Sequence, residues 1–230
     1  MCQLDNRLFM DALTFSDEHR DALRSSAKRI VLVGGGRNAN NLLGVLNDAG
    51  VIVSAILDDR AGAIVHGHTV QPIDTYEGPE WRAIITVADP AARASLILRP
   101  PLRRVIWTSY IDHRAAVSPY AEVGEGTFIA PFATCADATI GRHASIMPGV
   151  VLGARVTIGD HTNVLPGATV ASDTHIGENC IISMGARIEA GLKIGNNCRI
   201  APNTVIREDM PDGTLAVPTA STRYILNHYS

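Results

Sequence analysis

Side chains that could move a proton or hold a metal ion lie mostly in the second half of this 230-residue chain. They are His143 and His161, which are eighteen positions apart, a third histidine at His175, and the adjacent pair Ser172 and Asp173. An imidazole or a carboxylate can act as a general base toward an amine or a hydroxyl group. Three imidazoles are also a common zinc-binding set. Which of these side chains meet depends on the elements that carry them.

A six-residue repeat organises this part of the chain. An aliphatic residue stands at every sixth position: Ile140, Ile146, Leu152, Ile158, Val164, Val170, Ile176, Ile182, Ile188, Ile194, Ile200 and Ile206. Neither the helix period nor the strand period gives a strict six, whereas a triangular coil of three short parallel strands does, with eighteen residues per turn. The pattern runs back through Val117, Val123, Ile129 and Cys135, with one residue skipped before Ile140. We expect about five coils.

A second set of positions fits the same coil. Four residues after most of the aliphatics comes a smaller, mostly uncharged residue, which suits the tight space beside a corner. Cys180 and Cys198 belong to this set, and the four cysteines show no CxxC spacing, so we expect buried free thiols. His143 and His161 share one corner on successive coils. We expect them to stack outward as solvated histidines rather than to share a metal ion.

The first half of the chain shows one β-α-β unit. A buried strand at 29–33 is followed by three glycines, a helix at 38–48 and a strand at 51–57 that ends in two acids. A strand at 83–87, a helix around 91–98 and a strand at 105–107 follow. Glycines at the first turn and acids at the tip of the second strand are a nucleotide-binding layout. The candidate nucleotide-binding residues are Gly34, Gly36, Arg37, Asn38, Asp58 and Asp59. Another interpretation stays equally open: the glycines only allow close packing, and Asp58 caps a turn.

The order of these motifs closely resembles the sialic acid O-acetyltransferase and nucleotide-sugar N-acetyltransferase group, over residues 28 to about 220. The segments that carry the resemblance are the glycine turn, Leu57-Asp58-Asp59, Ile111-Asp112-His113-Arg114-Ala115-Ala116-Val117-Ser118, Gly124-Glu125-Gly126-Thr127, the repeats, and Asp209-Met210-Pro211-Asp212-Gly213. The resemblance implies a Rossmann-like α/β domain followed by a left-handed parallel β-helix. It also implies a homotrimer and acetyl-CoA or another acyl-CoA as co-substrate, bound near Gly185, Ala201 and Pro218.

The chain departs from that group at positions that carry chemistry. The group has a histidine followed by a carboxylate before an Ile-Gly corner, and the matching residues here are Ala154 and Arg155. The turn Gly34-Gly35-Gly36-Arg37-Asn38 and the tail Ala216-Val217-Pro218-Thr219-Ala220 also differ from the group's G-x-G-G-H and G-x-P-A-K patterns. The replacement candidates are Ser172 and Asp173 one coil later, with His161 and His143 as further weak candidates. Arg155 and Arg37 hint at an acidic acceptor, although each is equally well explained as a solvated surface arginine.

Composition and charge limit the classes of ligand that this protein can be expected to bind. The net charge is −3, from 20 basic and 23 acidic residues without a basic cluster, which argues against nucleic acid and anionic membranes as ligands. With no run of 18 apolar residues and no secretion-signal layout at the start, we expect a cytoplasmic protein with a small-molecule acceptor.

The expected organisation is an arm at 1–27, the Rossmann-like domain at 28–110, the β-helix at 111–213 and a tail at 214–230. The favoured function is acyl-CoA-dependent N-acylation of a small amine, such as a nucleotide-linked amino sugar. The first alternative is a catalytically silent binding or assembly protein on the same scaffold. A third hypothesis is a metal-dependent enzyme that resembles the gamma-class carbonic anhydrases, although the spacing of His143, His161 and His175 does not match their ligand pattern.

Overall fold

The computed structural model describes residues 29–76 and 82–218. The arm expected at 1–27 and most of the tail lie outside the described residues. No helix within the described ranges is long and apolar enough to span a membrane.

The N-terminal part of the chain forms one six-stranded sheet with helices on both faces. Its elements are β1 (Arg29–Val33), α1 (Arg37–Asp48), β2 (Ile52–Leu57), β3 (Ile64–Val65), β4 (His68–Gln71), β5 (Arg82–Ile85), α2 (Pro90–Leu96), a 3-10 helix (Pro100–Arg104) and β6 (Ile106–Trp107). The strand order is β3-β4-β2-β1-β5-β6, and every neighbouring pair is parallel except β3 with β4. The sheet is therefore mixed, with a reversal of strand order at β1.

The two helices begin and end where their sequences predict. In α1 the buried residues Ala39, Leu42, Leu43 and Leu46 follow the helix period and form one stripe against the sheet. Gly50, just after the helix, has φ +71°, the left-handed conformation that commonly ends helices. The Asp89 side chain accepts the Ala92 N–H at 2.8 Å and so caps α2.

The β3–β4 hairpin was not anticipated from the sequence. His66 and Gly67 join its strands, with φ of 45° and 82°. Positive φ at both central residues is typical of a two-residue hairpin turn. The signal was present, because an apolar pair precedes His66-Gly67 and Thr69-Val70 follows it.

Residues 110–216 form a parallel β-solenoid of two-residue strands. The first face holds β7 (Tyr110–Ile111), β10 (Phe128–Ile129), β13 (Ser145–Ile146), β16 (Asn163–Val164), β19 (Ile181–Ile182), β22 (Arg199–Ile200) and β24 (Leu215–Ala216). The second face holds β8 (Ala116–Val117), β11 (Thr134–Cys135), β14 (Val151–Leu152), β17 (Thr169–Val170), β20 (Arg187–Ile188) and β23 (Val205–Ile206). The third face holds β9 (Glu122–Val123), β12 (Thr139–Ile140), β15 (Thr157–Ile158), β18 (His175–Ile176) and β21 (Lys193–Ile194).

The inward register expected from the repeat is confirmed. All twelve aliphatics from Ile140 to Ile206 are at most 6% exposed, and so are most of the smaller residues four positions later, including Cys180 and Cys198 at 0%. The described cysteines are free thiols. The three faces carry seven, six and five strands, so the expected count of about five coils matches the shortest face and falls short of the longest.

The skipped residue before Ile140 also has its structural counterpart. Across that coil the paired residues are seventeen apart, as in Glu122 with Thr139 and Phe128 with Ser145. In the following coils the interval is eighteen, as in Thr139 with Thr157.

The sheet domain packs against the first face of the solenoid. Tyr110, Phe128 and Ala130 share one apolar cluster with α1 and with one face of the sheet, and Met147 packs against it. The solenoid begins at Tyr110 in the structure. The division at 28–110 and 111–213 stays a prediction about domains.

Candidate active site

A small cleft of about 50 Å³ opens between α1 and the first face of the solenoid. Four polar side chains reach its wall, namely Asn38, Asn41, Thr86 and Ser145, and the rest of the lining is apolar. It lies at the carboxyl end of β5 and the start of α1, beside the point where the strand order reverses. Ligands of open α/β sheets bind at such points. The cleft is therefore the best candidate for an acceptor site.

The glycine turn lies next to this cleft. Gly34 has φ +111°, and a Cβ there would lie 2.9 Å from Thr86 Oγ1 and from a Val87 methyl group, so only glycine fits. Gly36 is the N-cap of α1, without a side-chain cap. Of the six candidate nucleotide-binding residues, Asn38 lines the cleft and Arg37 is exposed on the first turn of α1. Gly34 thus has a packing role whether or not a nucleotide binds.

Asp58 closes the other side of the glycine turn. Its Oδ2 accepts the Gly35 N–H at 2.6 Å, and its Oδ1 accepts the Arg60 N–H at 2.9 Å. Partial burial acts to raise the pKa of this carboxyl, but the hydrogen bonds from Arg60 and Gly35 outweigh it and hold the pKa below its usual value. The geometry thus gives Asp58 the turn-capping role that the sequence left open. Asp59 is exposed and pairs with Arg99 at 2.6 Å.

The positions of the missing histidine and carboxylate lie at the corner between the second and third faces. The Ala154 N–H donates to Ser172 Oγ at 3.2 Å. Arg155 donates to both oxygens of Asp173, at 2.6 and 2.8 Å. These hydrogen bonds hold the pKa of Asp173 below its usual value, which makes it a poor base. The two sets of candidates, residues 154–155 and residues 172–173, therefore stack on each other as one cluster. Because Arg155 already pairs with Asp173, the structure does not support Arg155 as a free site for an acidic acceptor.

His143 and His161 stack at the corner between the third and first faces, as expected, with ring centroids 5.3 Å apart and planes 8° from parallel. The expectation that both are solvated is wrong for His143, which is 4% exposed. Trp107 meets its ring edge-on at a centroid distance of 5.2 Å. The repeat pattern placed this corner on the outside of the coil but could not show that the sheet domain covers it.

Neither ring is arranged as a typical general base. A catalytic imidazole usually has its second nitrogen held by a carboxylate or carbonyl. Within the described part of the chain, Nδ1 of His143 and Nδ1 of His161 are buried without a hydrogen-bond partner. Burial, followed by the proximity of His161 and Arg93, lowers the pKa of His143 to about 4. Burial also lowers the pKa of His161.

The three histidines considered for zinc do not meet in one chain. His175 is exposed on β18, in the third face, whereas the other two lie at a corner. Among residues 29–76 and 82–218 there is no group of three or more histidine, cysteine or carboxylate side chains placed to bind a metal ion.

The coenzyme A candidates share one corner. Gly185 follows β19, Ala201 follows β22 and Pro218 lies just after β24, so all three lie in the turns between the first and second faces, but Gly185 stacks on Asn203 and not on Ala201. Gly185 has φ +66°, and a Cβ there would lie 2.3 Å from Asn203 Oδ1.

Three polar residues of the cleft were missed from the sequence: Asn41, Thr86 and Ser145. Thr86 follows β5 at the same sheet edge as the glycine turn, and it could have been named from the strand end alone. Ser145 could not, because its place in the cleft depends on how the sheet domain packs against the solenoid.

Comparisons with known proteins agree with this architecture. The profile described as bacterial transferase hexapeptide (six repeats) matches residues 137–172 and 173–208. Among curated protein sequences nothing matches. Among solved structures, a histidine-to-asparagine variant of perosamine N-acetyltransferase from Caulobacter crescentus, in complex with CoA and GDP-perosamine, matches with a TM-score of 0.74 and 26% identity over 81% of this chain and 91% of that one.

Two further structures share the fold. The acetyltransferase domain of PglB from Neisseria gonorrhoeae FA1090 has a TM-score of 0.69 and 21% identity, over 82% of this chain and 95% of that one. WeeI from Acinetobacter baumannii AYE has a TM-score of 0.67 and 19% identity, over 81% and 95%. The repeats and the architecture together show a left-handed parallel β-helix built from hexapeptide repeats, and the chain is similar over most of its length to a perosamine N-acetyltransferase.

Proposed function

We propose that this protein transfers the acetyl group of acetyl-CoA to the amine of a nucleotide-linked amino sugar. The observation that carries the proposal is the match, over most of both chains, with an N-acetyltransferase whose structure holds CoA and GDP-perosamine. The cleft beside the glycine turn supports it, because it offers a few polar groups in an otherwise apolar wall.

We assign the N-terminal sheet as a Rossmann-like domain that binds the nucleotide part of the acceptor. Five strands are parallel and the order reverses at β1, although the sheet is mixed and carries few helices. The nucleotide phosphates would lie near Gly36, at the N-terminus of α1, where backbone N–H groups are free of side-chain caps. The amine end of the acceptor would then point along the cleft toward Ser145.

We further propose a homotrimer in the cytoplasm. The cleft lies against the first face of the solenoid, whereas Ala154 and Arg155 lie at the corner opposite that face. A triangular coil keeps these two places apart within one chain. A neighbouring subunit can bring its own corner to the cleft, and the turns that carry Gly185 and Ala201 would then line a groove for coenzyme A.

Light scattering tests this assembly. At micromolar protein we expect three times the chain mass of 24.5 kDa. Val151→Arg places a charge where the second face has a half-exposed apolar side chain. In gel filtration at the same protein concentration as wild type, this variant should show weaker assembly. A wild-type mass equal to one chain would contradict the proposed site, because the cleft and the corner would then stay apart.

The chemistry has to proceed without the group's histidine. The amine nitrogen attacks the thioester carbonyl carbon, the carbonyl oxygen becomes an oxyanion, and collapse expels the coenzyme A thiolate. The proton lost by nitrogen ends on the thiolate or in water. Ala154 has no proton acceptor, so the amine must arrive in its neutral form. General base assistance is typically worth about 10²–10⁴-fold, and an amine that is partly neutral at pH 7 needs it less than a hydroxyl does.

The pH dependence follows from this mechanism. We expect kcat/KM to rise with pH and to level off at the pKa of the acceptor amine. His143 adds no second inflection near neutrality, because its pKa is about 4. Two acceptors whose amines differ in pKa should shift the inflection accordingly. An inflection that stays at one pH for both acceptors would show that the protein supplies a base.

The second candidate function is a catalytically silent binding or assembly protein. Ala154 and the Arg155–Asp173 ion pair favour it, because they leave no base at the group's position. Titration calorimetry with coenzyme A and with acetyl-CoA, followed by an assay for thiol release, separates the two candidates. Binding without release in the presence of nucleotide amino sugars would favour the silent protein.

A further inference from the structure

A buried arginine connects the sheet domain to the solenoid. Arg93, on α2, is 1% exposed. Its Nε donates to the Val87 carbonyl at 3.0 Å, and its two terminal nitrogens donate to the carbonyl of His143 and to Oδ1 of Asn163. The Asn163 amide donates in return to the carbonyl of Ala88. These four hydrogen bonds are here called the Arg93 latch, and three of them cross the joint, two donated by Arg93 and one by Asn163.

The Arg93 latch buries a charged group, which carries a desolvation cost. Among the described residues, no carboxylate lies within ion-pair distance of the Arg93 guanidinium, and its pKa is lowered to about 10 by burial, although the more distant Asp89 acts in the other direction. It therefore stays charged at pH 7 while only neutral oxygens face it. Burying a cation in this way costs free energy that apolar packing would not. Hydrogen bonds are directional, so they fix the position of the sheet domain relative to the solenoid more closely than apolar contacts would.

The geometry that the latch fixes is that of the cleft. On the sheet side it holds Val87 and Ala88, which directly follow Thr86 on the cleft wall. On the solenoid side it holds Asn163, which pairs with Ser145 on the opposite wall. The latch thus links the chain segments that carry the two polar groups on either side.

We propose that Arg93, acting through Asn163, is a positioning residue that sets the separation of Thr86 and Ser145 and so the fit of the acceptor. The part concerning the acceptor rests on the proposed function, whereas the anchoring of residues 86–89 does not. Arg93 does not line the cleft, so it acts through the loop and the coil.

Kinetics of three variants test this role in the full-length protein. Arg93→Met keeps the apolar stem, Asn163→Ala removes both hydrogen bonds of the Asn163 side chain, and Asn163→Asp keeps an acceptor for Arg93 but loses the donor to Ala88. We expect the first two to raise the KM for the nucleotide amino sugar about tenfold, with the KM for acetyl-CoA changed less than about twofold, and the third to do less. The double variant Arg93→Met/Asn163→Ala should be no worse than either single variant, because both break one unit. Arg104→Met, at an exposed arginine of the 3-10 helix, is the control.

Amide hydrogen exchange gives a second measurement that needs no acceptor. Asn163→Ala should speed exchange in peptides covering 86–97 and leave β1 unchanged, since only the joint is loosened. Equal loss of acceptor and acetyl-CoA affinity, or unchanged exchange at 86–97, would overturn the role of the latch. Absence of any wild-type turnover would instead count against the proposed function, and exchange would still decide the anchoring.

Discussion

Ile176→Asp should remove the folded solenoid. Ile176 is 0% exposed on β18, between Ile158 and Ile194 of the neighbouring coils. An aspartate there puts a carboxylate among aliphatic side chains with no partner, which costs several kcal/mol against a total stability of about 5–15 kcal/mol. Circular dichroism should show loss of the strand signal, or a melting temperature lower by more than about 10 °C.

The matched control is His175→Asp. His175 precedes Ile176 on the same strand but is exposed, so the same new charge stays in water. We expect its melting temperature to remain within a few degrees of wild type, about 3 °C or less. Equal melting temperatures for the two aspartate variants would mean that the inward register is wrong.

Restoring a base at residue 154 should increase turnover by about 10²–10⁴-fold, the usual contribution of general base catalysis. The change suggested by the sequence alone is Ala154→His with Arg155→Asp. The structure shows that the new carboxylate would face Asp173 on the next coil, where Arg155 now makes its ion pair. Asp173→Asn should therefore be added to remove the repulsion. Arg155 has φ +58°, a conformation that aspartate tolerates better than arginine does.

The control keeps the shape and removes the base. A second triple variant carries asparagine at residue 154 and the same changes at 155 and 173. N-acetylation of a nucleotide amino sugar should rise only in the histidine variant. Equal rates in the histidine and asparagine variants would mean that the missing base is not what limits this chain. The difference from the group would then lie in the acceptor pocket.

The solenoid could be predicted closely because one strict period fixes it. The burial of a residue such as Ile176 can be predicted from the repeat alone, because inward positions return at a constant interval and do not depend on contacts with the neighbouring domain. The same holds for Cys180 and Cys198, whose place beside a corner follows from counting. The glycine turn and the two acids were also placed at the correct sheet edge, where Asp58 and Gly35 are hydrogen-bonded.

The joint between the two parts could not be predicted, because it depends on residues that no period connects. Arg93 reads as an ordinary surface residue of a short helix, yet it is buried against residues 50 and 70 positions away. The burial of His143 under Trp107 has the same origin. The ion pair of Arg155 with Asp173 could have been predicted, because residues eighteen apart stack in this coil. It removes the argument that Arg155 is free to bind an acidic acceptor.

The measurement that tests the central claim most directly is acetyl transfer itself. The purified protein is incubated with acetyl-CoA and a panel of GDP- and UDP-linked amino sugars, with the corresponding hydroxyl sugars as controls. We predict that coenzyme A thiol is released only when both substrates are present, and that mass spectrometry finds the acetyl group on the sugar nitrogen. Saturable binding of acetyl-CoA and of a nucleotide, with no acetylated amine from any acceptor, would contradict this account and leave a binding protein on a transferase scaffold.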